Sequence, residues 1–426
     1  MRPNKPNVNA SVLRRVGIAI VLLLFAAASA SAQKITVMLV SSIVSEPIYR
    51  GIEAFTAKTG IEVEVSEFSS WDDLREKLPT MVAGGIAPDV VYQDSGAQAD
   101  LYHQGVLQPL DRYVARDGFD LSIWPEPLVD AYRFDGKLYS LPTGVSNWAI
   151  YYNVNRLAAA GLPPLPTDWE SEGFTYDDLV EMAQKATRDT NGDGTPELYG
   201  IENFFSNGAQ GIHFWGIDWF DKEQTQFLGT SSLHVEALTE IRRLWELRVI
   251  GGNWMRGTAV LMPARPLHLN LISEAMDAGG FFDWSVGVLP TVKCRCAPTS
   301  FHSLGIAFGA PNPDGAWEFI KFMTTDPVGA VFFSQAENRT PVVPASIDDF
   351  ERRWESRSPG SNVDVFVTGL NHVFHPNWYR LPRAVFNNLS AATLQIMRGQ
   401  KDPRAAMEEL KPVMEGILRE VHAGVR

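Results

Sequence analysis

The stretch Leu141-Pro-Thr-Gly-Val-Ser-Asn-Trp-Ala-Ile-Tyr-Tyr-Asn-Val-Asn155 is the part of the sequence that decides the fold. Pro142 and Gly144 at its start interrupt regular structure, and the aromatic and β-branched residues after them favour a half-buried strand. Just before it, Asp135-Gly136 predicts the turn of a tight hairpin. A hairpin that leads into an extended strand is therefore predicted. On these residues alone, ordinary core packing explains the strand as well as a functional role does.

The first 32 residues have the pattern of an export signal. Basic residues precede the apolar run 16–28, and Ala30-Ser31-Ala32 is a small-residue cleavage site. The run is shorter than the roughly 20 residues that a membrane-spanning helix needs. We therefore predict that residues 1–32 are a signal peptide and that the mature protein is periplasmic.

The chain is acidic, with a formal net charge of −13 over 426 residues. Since the signal contributes only basic residues, the mature protein is more acidic still. This charge argues against non-specific binding to nucleic acid or to an anionic membrane surface. The length and the 45% hydrophobic content allow two domains, each with its own core.

Strands and helices alternate through the first quarter of the chain. Residues 35–40, 61–65 and 88–92 have the patterns of strands, and residues 45–58 have helical spacing. Such alternation is typical of a βαβ sheet, so an α/β fold is predicted. Further helices are predicted at residues 174–187, 233–249, 310–325, 389–397 and 405–418.

The segment Asp189-x-Asn191-x-Asp193-Gly194 is similar to the first half of a calcium loop, in which oxygen ligands alternate ahead of a glycine. Such a loop carries glutamate at its twelfth position, which is Gly200 here. Side chains that bond the backbone of their own tight turn are the simpler explanation. We therefore predict no metal site.

The two cysteines, Cys294 and Cys296, are separated by one residue. An exported protein meets an oxidising compartment, where a local disulfide can form. Two thiolates alone fall short of the four ligands of a structural zinc site. A small disulfide or an idle pair is predicted.

Enzyme motifs are absent from the sequence: it contains no Gly-x-Ser-x-Gly, no His-Glu-x-x-His and no phosphate loop. We predict a protein without catalytic activity or cofactor. A carboxylate pair for glycoside hydrolysis can lie far apart in a sequence, so a secreted carbohydrate-active enzyme stays an alternative.

Tryptophan is unusually frequent, with 12 in the chain. A flat indole packs well against the apolar face of a pyranose while nearby polar groups bond its hydroxyls. Core packing is an equally simple explanation for any single tryptophan. Those beside polar or glycine-rich turns are Trp71, Trp215, Trp219, Trp254 and Trp378.

Several segments together resemble the maltose-binding-protein-like family of periplasmic solute-binding proteins, which serve sugar-importing ABC transporters. Lys58-Thr-Gly-Ile-Glu-Val63 and Ala83-Gly-Gly-Ile-Ala-Pro-Asp-Val-Val91 match the family's first lobe. Gly105-Val-Leu-Gln-Pro-Leu-Asp111 matches its next turn. The hairpin and strand around Leu141 are similar to its first crossover between lobes.

The resemblance implies an α/β, two-lobed periplasmic-binding-protein fold of type II. In that fold each lobe is a mixed β-sheet flanked by helices, and three crossovers form the hinge. Residues 33–143 with 302–343 would form lobe one, and residues 144–301 with 344–426 lobe two. The implied function is that of a monomer that captures a carbohydrate in the inter-lobe cleft. It would deliver the carbohydrate to the membrane permease subunits of an ABC importer.

The resemblance also implies ligand-binding residues. From lobe one and the hinge they are Ser42, Glu46, Gln93, Asp94, Ser146, Asn147 and His302. From lobe two they are Trp215, Arg265, Trp378, Tyr379 and Arg380. In the family, the pair that corresponds to Trp378-Tyr379 stacks on bound sugar.

The predicted cleft departs from that of the maltose binder. Its acidic and tryptophan positions in lobe one correspond here to Ser146 and Gln93, whereas Arg265, Arg380 and Arg383 add positive charge. A polyol phosphate or a sugar acid is therefore an alternative ligand. A scaffold or sensor subunit that has lost its ligand is a further alternative.

Overall fold

The computed structural model describes residues 34–202 and 208–424, so the predicted signal peptide lies outside the described residues. None of the described helices is long and apolar enough to cross a membrane. The described strands are β1 Lys34–Val40, β2 Glu62–Phe68, β3 Val90–Asp94, β4 Leu107–Gln108, β5 Arg133–Phe134, β6 Lys137–Leu138, β7 Ser140–Asn147, β8 Ala149–Asn153, β9 Tyr199–Ile201, β10 Ala259–Ala264, β11 Trp284–Gly287, β12 Ala297–Ala307, β13 Thr340–Pro341 and β14 Val373–Phe374.

The described α-helices surround these strands. They are α1 Glu46–Thr59, α2 Trp71–Ala83, α3 Ser95–His103, α4 Asp111–Asp117, α5 Glu126–Asp130, α6 Val154–Ala159, α7 Tyr176–Ala186, α8 Gly208–Gly211, α9 Ser232–Glu246, α10 His268–Asp277, α11 Pro313–Thr325, α12 Gly329–Glu337, α13 Pro344–Arg357, α14 Asp364–Thr368, α15 Arg383–Met397 and α16 Pro403–Gly424. Short 3₁₀ helices lie at Ser41–Ile43, Ile212–Trp215, Trp254–Arg256, Gly369–His372 and Asn377–Arg380.

The larger sheet has the strand order β13-β7-β12-β3-β1-β2, and β4 and β14 also pair with β12. Its β1 is parallel to β2 and β3, whereas β12 is antiparallel to β3 and β7. Helices can connect the parallel strands because a crossover must return each strand to the same end of the sheet. The sheet is therefore mixed.

The smaller sheet has the order β11-β8-β10-β9, in which β10 is parallel to β9 and antiparallel to β8. Strands β7 and β8 follow each other in the chain but belong to different sheets, and only Trp148 separates them. The predicted extended stretch is thus two strands, and the chain passes from one sheet to the other at Trp148.

Buried side chains form separate cores around the two sheets. Two clusters cover the faces of the larger sheet and draw their residues from 35–145 and 301–343. The third surrounds the smaller sheet and draws its residues from 149–297 and 350–418. Each sheet therefore buries its own apolar surface, which is the main stabilising contribution to such a layered fold.

Local turn chemistry explains where several elements begin and end. Asp135 and Gly136 have φ of 47° and 74°, as a two-residue turn between β5 and β6 requires. Gly60 ends helix α1 with φ of 74°. Thr175 and Asp178 form a capping box that satisfies backbone N–H groups at the start of α7.

Candidate functional site

The candidate site lies where neighbouring strands of the larger sheet reach one edge. The register places Asp94 of β3, His302 of β12, Gly144 of β7 and Pro341 of β13 side by side. Asp94 is the last residue of β3, and the carboxyl ends of parallel strands are where open α/β sheets bind ligands. This edge also faces the crossover at Trp148.

Asn147 and Ser146 at the end of β7 are fully buried. The Asn147 side chain accepts a hydrogen bond from Thr340 at 2.5 Å and donates one to the backbone oxygen of Phe366 at 2.8 Å. It therefore ties the β13 strand of one sheet to a helix packed on the other. Ser146 accepts a hydrogen bond from the Arg339 guanidinium at 2.5 Å.

A buried acid lies beside this arginine. The Glu337 carboxylate accepts a hydrogen bond from Thr143 at 2.6 Å, and burial raises the pKa of Glu337. A Cβ atom on Gly144 would lie 2.7 Å from the Glu337 carboxylate. Glycine is thus required at position 144 because a side chain would occupy the space that the acid fills.

His302 lies in an aromatic group on the lobe-one side of the site. Its Nδ1 is 3.2 Å from the Tyr92 hydroxyl, and its ring centroid is 5.7 Å from that of Trp71. Burial lowers the pKa of His302 well below its usual range, and the positive charges of Arg339 and Arg265 lower it further. The imidazole is therefore neutral at physiological pH. The half-buried Trp71 is the member of this group that a ligand can reach.

Arg265 follows β10 and faces the same region from the other sheet. Its guanidinium carbon lies 5.7 Å from the Trp148 ring centroid, a cation–π distance. Burial lowers the pKa of Arg265, and Arg339 lowers it further, while Tyr379 and Asp94 act in the opposite direction. Arg265, Trp148, Tyr379 and Asp94 are all half-buried.

An aromatic ladder crosses from one core to the other. Its rings stack in the order Phe301, His375, Tyr379, Trp378 and Phe386, with centroid separations of 4.2, 5.2, 4.0 and 5.2 Å. The Tyr379 hydroxyl accepts a hydrogen bond from Gln210 at 3.1 Å. Burial raises the pKa of Tyr379 to about 12.

Trp378, which was predicted to stack on bound sugar, lies inside this ladder. Trp378 is only 4% exposed, Tyr379 and Phe386 stack on it, and its indole N–H donates to His213 Nε2 at 2.9 Å. In this structure Trp378 is therefore packed in the core of the smaller sheet. A tryptophan beside a polar turn carries no sequence signal that separates these two environments.

Two of the remaining predicted residues, Asp94 and Arg380, make polar contacts with other elements. Asp94 caps α3 by accepting from the Ala97 N–H at 2.6 Å and also pairs with Arg75 at 3.2 Å. Arg380 donates to the backbone oxygen of Asp130 at 2.8 Å and so joins the two halves of the molecule.

The other four residues differ in exposure. Ser42 follows β1, which is parallel to β3 and ends at the same edge of the sheet. Ser42 and Glu46 are exposed, and Glu46 lies 3.9 Å from Arg50. Gln93 is fully buried beside Gly305. Trp215 is 3% exposed and packs against Tyr176 at 5.1 Å within the core of the smaller sheet. Gln93 and Trp215 are therefore enclosed in this structure, whereas Ser42 and Glu46 are exposed just beyond the end of β1.

Three residues of the site were not among those predicted from the sequence. Glu337 is the last residue of helix α12 and Arg339 lies two residues later, and both are nearly 200 positions from their partners Thr143 and Ser146. No local sequence pattern predicts a contact between residues so far apart in the chain. Trp148 could have been found, because it lies between the polar pair Ser146-Asn147 and the next apolar run.

Two other motifs make local contacts. Both oxygens of Asp189 accept backbone N–H groups, from Gly192 at 2.7 Å and Gly194 at 2.8 Å. Cys294 and Cys296 form a disulfide, and Arg295 between them donates to the Trp169 oxygen at 2.8 Å. Among residues 34–202 and 208–424, no group of three or more His, Cys, Asp or Glu side chains is placed to hold a metal ion.

Known proteins provide a comparison. Residues 42–251 match the family described as bacterial extracellular solute-binding protein. A Brucella abortus binding protein is 30% identical over 83% of this chain and 85% of its own length. The maltotriose-binding protein of Pyrococcus abyssi is 23% identical over 83% of this chain and 75% of its own.

A solved structure shares the fold. The substrate-binding protein of a Listeria monocytogenes ABC transporter, in complex with cycloalternan, superposes with a TM-score of 0.75 at 19% identity. The match covers 92% of this chain and 100% of that one. The predicted two-lobed periplasmic-binding-protein fold is thereby confirmed. The chain therefore belongs to the family of bacterial extracellular solute-binding proteins.

Proposed function

We propose that this protein captures a carbohydrate in the cleft between two lobes and delivers it to the permease subunits of an ABC importer. The observation that carries the proposal is the edge at Trp148, where the chain passes between two separately packed sheets. Half-buried Trp71 and Trp148 offer aromatic surface there, and Asp94, Arg265 and Tyr379 offer polar groups. Pockets that combine aromatic walls with a few placed polar groups bind sugars well.

Two relatives support a carbohydrate as the ligand. The Pyrococcus relative is a maltotriose-binding protein, and the Listeria structure contains cycloalternan. The site differs in charge from that of the maltose binder, because Ser146 and Gln93 replace its acidic and tryptophan residues and Arg265 adds positive charge.

The proposal includes the organisation of the molecule. Lobe one comprises residues 33–143 with 302–343, and lobe two comprises residues 144–301 with 344–426. The protein acts as a periplasmic monomer after removal of residues 1–32, and it binds without catalysing a reaction. The two cores and the disulfide are consistent with these assignments.

Native mass spectrometry of freshly purified protein tests the proposal. We expect a bound small molecule whose mass and fragmentation identify a carbohydrate, and we expect it to dissociate on mild activation. Recovery of an amino acid, a peptide or a metal ion as the stoichiometric ligand would contradict the proposal. Measuring hydrolysis of oligosaccharides by the same sample tests the absence of catalysis.

A further inference from the structure

Two arginines at the site form no ion pair within the described residues, although Glu337 lies near Arg339. Among residues 34–202 and 208–424, no carboxylate oxygen lies within the 4.0 Å ion-pair distance of a guanidinium nitrogen of Arg265 or Arg339. Arg339 is only 8% exposed, and its Nε has no hydrogen-bond partner among these residues. Burying an unpaired charge is costly, so such a group calls for a counter-charge.

The nearby acids have other contacts, and Oε2 of Glu337 is a buried oxygen without a hydrogen-bond partner among the described residues. Asp94 accepts from Arg75 and from the α3 backbone, and Glu337 accepts from Thr143. By contrast, Arg295, which is buried to a similar degree, donates to several backbone and side-chain oxygens. The Nε atom of Arg295 also has no partner, but its terminal nitrogens make several hydrogen bonds, whereas those of Arg339 make one, to Ser146.

The two guanidiniums are anchored to one short stretch of the crossover. Arg339 donates to the Ser146 hydroxyl at 2.5 Å, and Arg265 lies over the Trp148 ring at 5.7 Å. Ser146 and Trp148 are two residues apart, and the charge of Arg339 acts on Arg265, so both positive groups lie near this stretch of the crossover. His302 lies beside them and is neutral, so it adds no charge of its own.

We infer that the ligand carries an anionic group, a carboxylate or a phosphate, which Arg265 and Arg339 bind from the two sides of the crossover. Guanidinium groups are well suited to this because they offer paired N–H donors in the geometry of a carboxylate or a phosphate. This inference rests on the proposed function and narrows its ligand to acidic carbohydrates. Trp148 and Trp71 would contact the sugar ring that carries the anion.

Matched sugars test the inference by isothermal titration calorimetry on the mature protein, after removal of any co-purified ligand. The monosaccharide probes are D-glucose, D-glucuronate and D-glucose 1-phosphate, and the disaccharide probes are maltose and its oxidised acid maltobionate. We expect the acidic member of at least one set to bind at least about tenfold more tightly than its neutral counterpart, as a charge-assisted hydrogen bond allows. The carboxylate and phosphate probes distinguish the two sources of negative charge.

Arginine variants test whether the preference for acidic over neutral sugars depends on this site. Arg265→Gln is expected to weaken binding of the acidic probe at least about tenfold more than binding of its neutral counterpart, so that the preference for the acid is lost. Arg265→Lys should retain part of the preference, because it keeps the charge but loses the paired geometry. Arg398→Gln, at an exposed position on the last turn after α15, is the control and should behave as the wild type. Because Arg339→Gln removes a buried contact and risks misfolding, the test uses substitutions of Arg265.

The outcomes separate the two proposals. Neutral sugars that bind as well as, or better than, their acids would overturn the anionic ligand and leave carbohydrate capture standing. An acid preference that survives Arg265→Gln would overturn the assignment to this arginine pair. Binding of no probe in either set would count against both proposals.

Discussion

Burial separates the tryptophans into two kinds at the scale of single residues. Trp378 is stacked between Tyr379 and Phe386 and bonded to His213, whereas Trp148 is half-buried at the crossover under Arg265. Residues of the first kind hold the structure together. Those of the second kind have surface left for a ligand.

Trp378→Ala is therefore expected to lower the free energy of unfolding of the ligand-free protein by about 3–5 kcal/mol, because the truncation leaves a cavity. It also leaves the buried His213 Nε2 without its donor. Chemical denaturation of the ligand-free protein measures the change. Trp148→Ala is the matched control: it should cost less stability but weaken ligand binding by about 2 kcal/mol or more. A ligand-free stability unchanged in Trp378→Ala would contradict the core assignment.

His375 makes the stability depend on pH. Burial lowers its pKa to about 3, and the positive charge of Arg380 contributes in the same direction. An unfolded chain has a histidine pKa of about 6.5, so below that value the unfolded state binds more protons than the folded state. The stabilising contribution of a neutral His375 is therefore lost progressively as the pH falls from about 6.5 towards 3.

His375→Phe keeps a ring in the aromatic ladder but removes this titration. We expect the unfolding free energy of the variant to fall less steeply than that of the wild type between pH 6.5 and 4, by up to about 1.4 kcal/mol per pH unit. Asp218, whose pKa burial raises to about 7, changes stability in the opposite direction but is common to both proteins. Equal slopes for His375→Phe and wild type would show that His375 does not titrate as described.

At the scale of structural elements, the side-chain oxygens of the loop at residues 189–194 accept hydrogen bonds from nearby backbone N–H groups. Asn191 and Asp193 each accept the N–H two residues further along, at 2.8 and 2.7 Å. The Arg248 guanidinium donates to the Gly194 oxygen at 2.9 Å, which places a positive charge beside the loop. These contacts explain the turn without an ion.

We therefore expect no calcium binding tighter than millimolar at physiological salt, because the twelfth position of the loop has no carboxylate and its other oxygens accept N–H groups. Calorimetric titration with calcium chloride measures this directly. A control titration of Asp189→Ala should give the same heats as the wild type. A micromolar affinity that disappears in Asp189→Ala would establish a metal site.

Elements whose signals are local could be predicted from the sequence. The helix at residues 174–187 and the hairpin at Asp135-Gly136 are fixed by caps and turn residues within a few positions, and the structure confirms both. The site was harder, because Arg339 reaches Ser146 across 193 positions and Trp378 is enclosed by Phe386 and Tyr379 only after the chain folds. Pairings of that range are set by topology, which one sequence without a structure does not reveal.

At the scale of the whole molecule, the crossovers join two cores by few connections. One is the step from β7 to β8 at Trp148, another enters β12, and the third follows β13. Each core is packed internally, so a relative movement of the lobes needs changes mainly in these short segments. Hinge closure of this kind is driven only by a ligand that binds the closed state more tightly.

We therefore predict that a saturating ligand decreases the radius of gyration, measured by small-angle X-ray scattering on the mature protein. The ligand is the tightest binder among the sugar probes, and the weaker member of its matched set, at the same concentration, is the control for solvent contrast.

If Arg265 and Arg339 close on one anion from two sides, removing Arg265 should reduce both the affinity and the fraction of compact molecules at a fixed ligand concentration. A radius that stays constant while calorimetry shows saturation would contradict hinge closure. In that case the arginines already hold their binding geometry in the free protein, and the ligand enters a site that does not move.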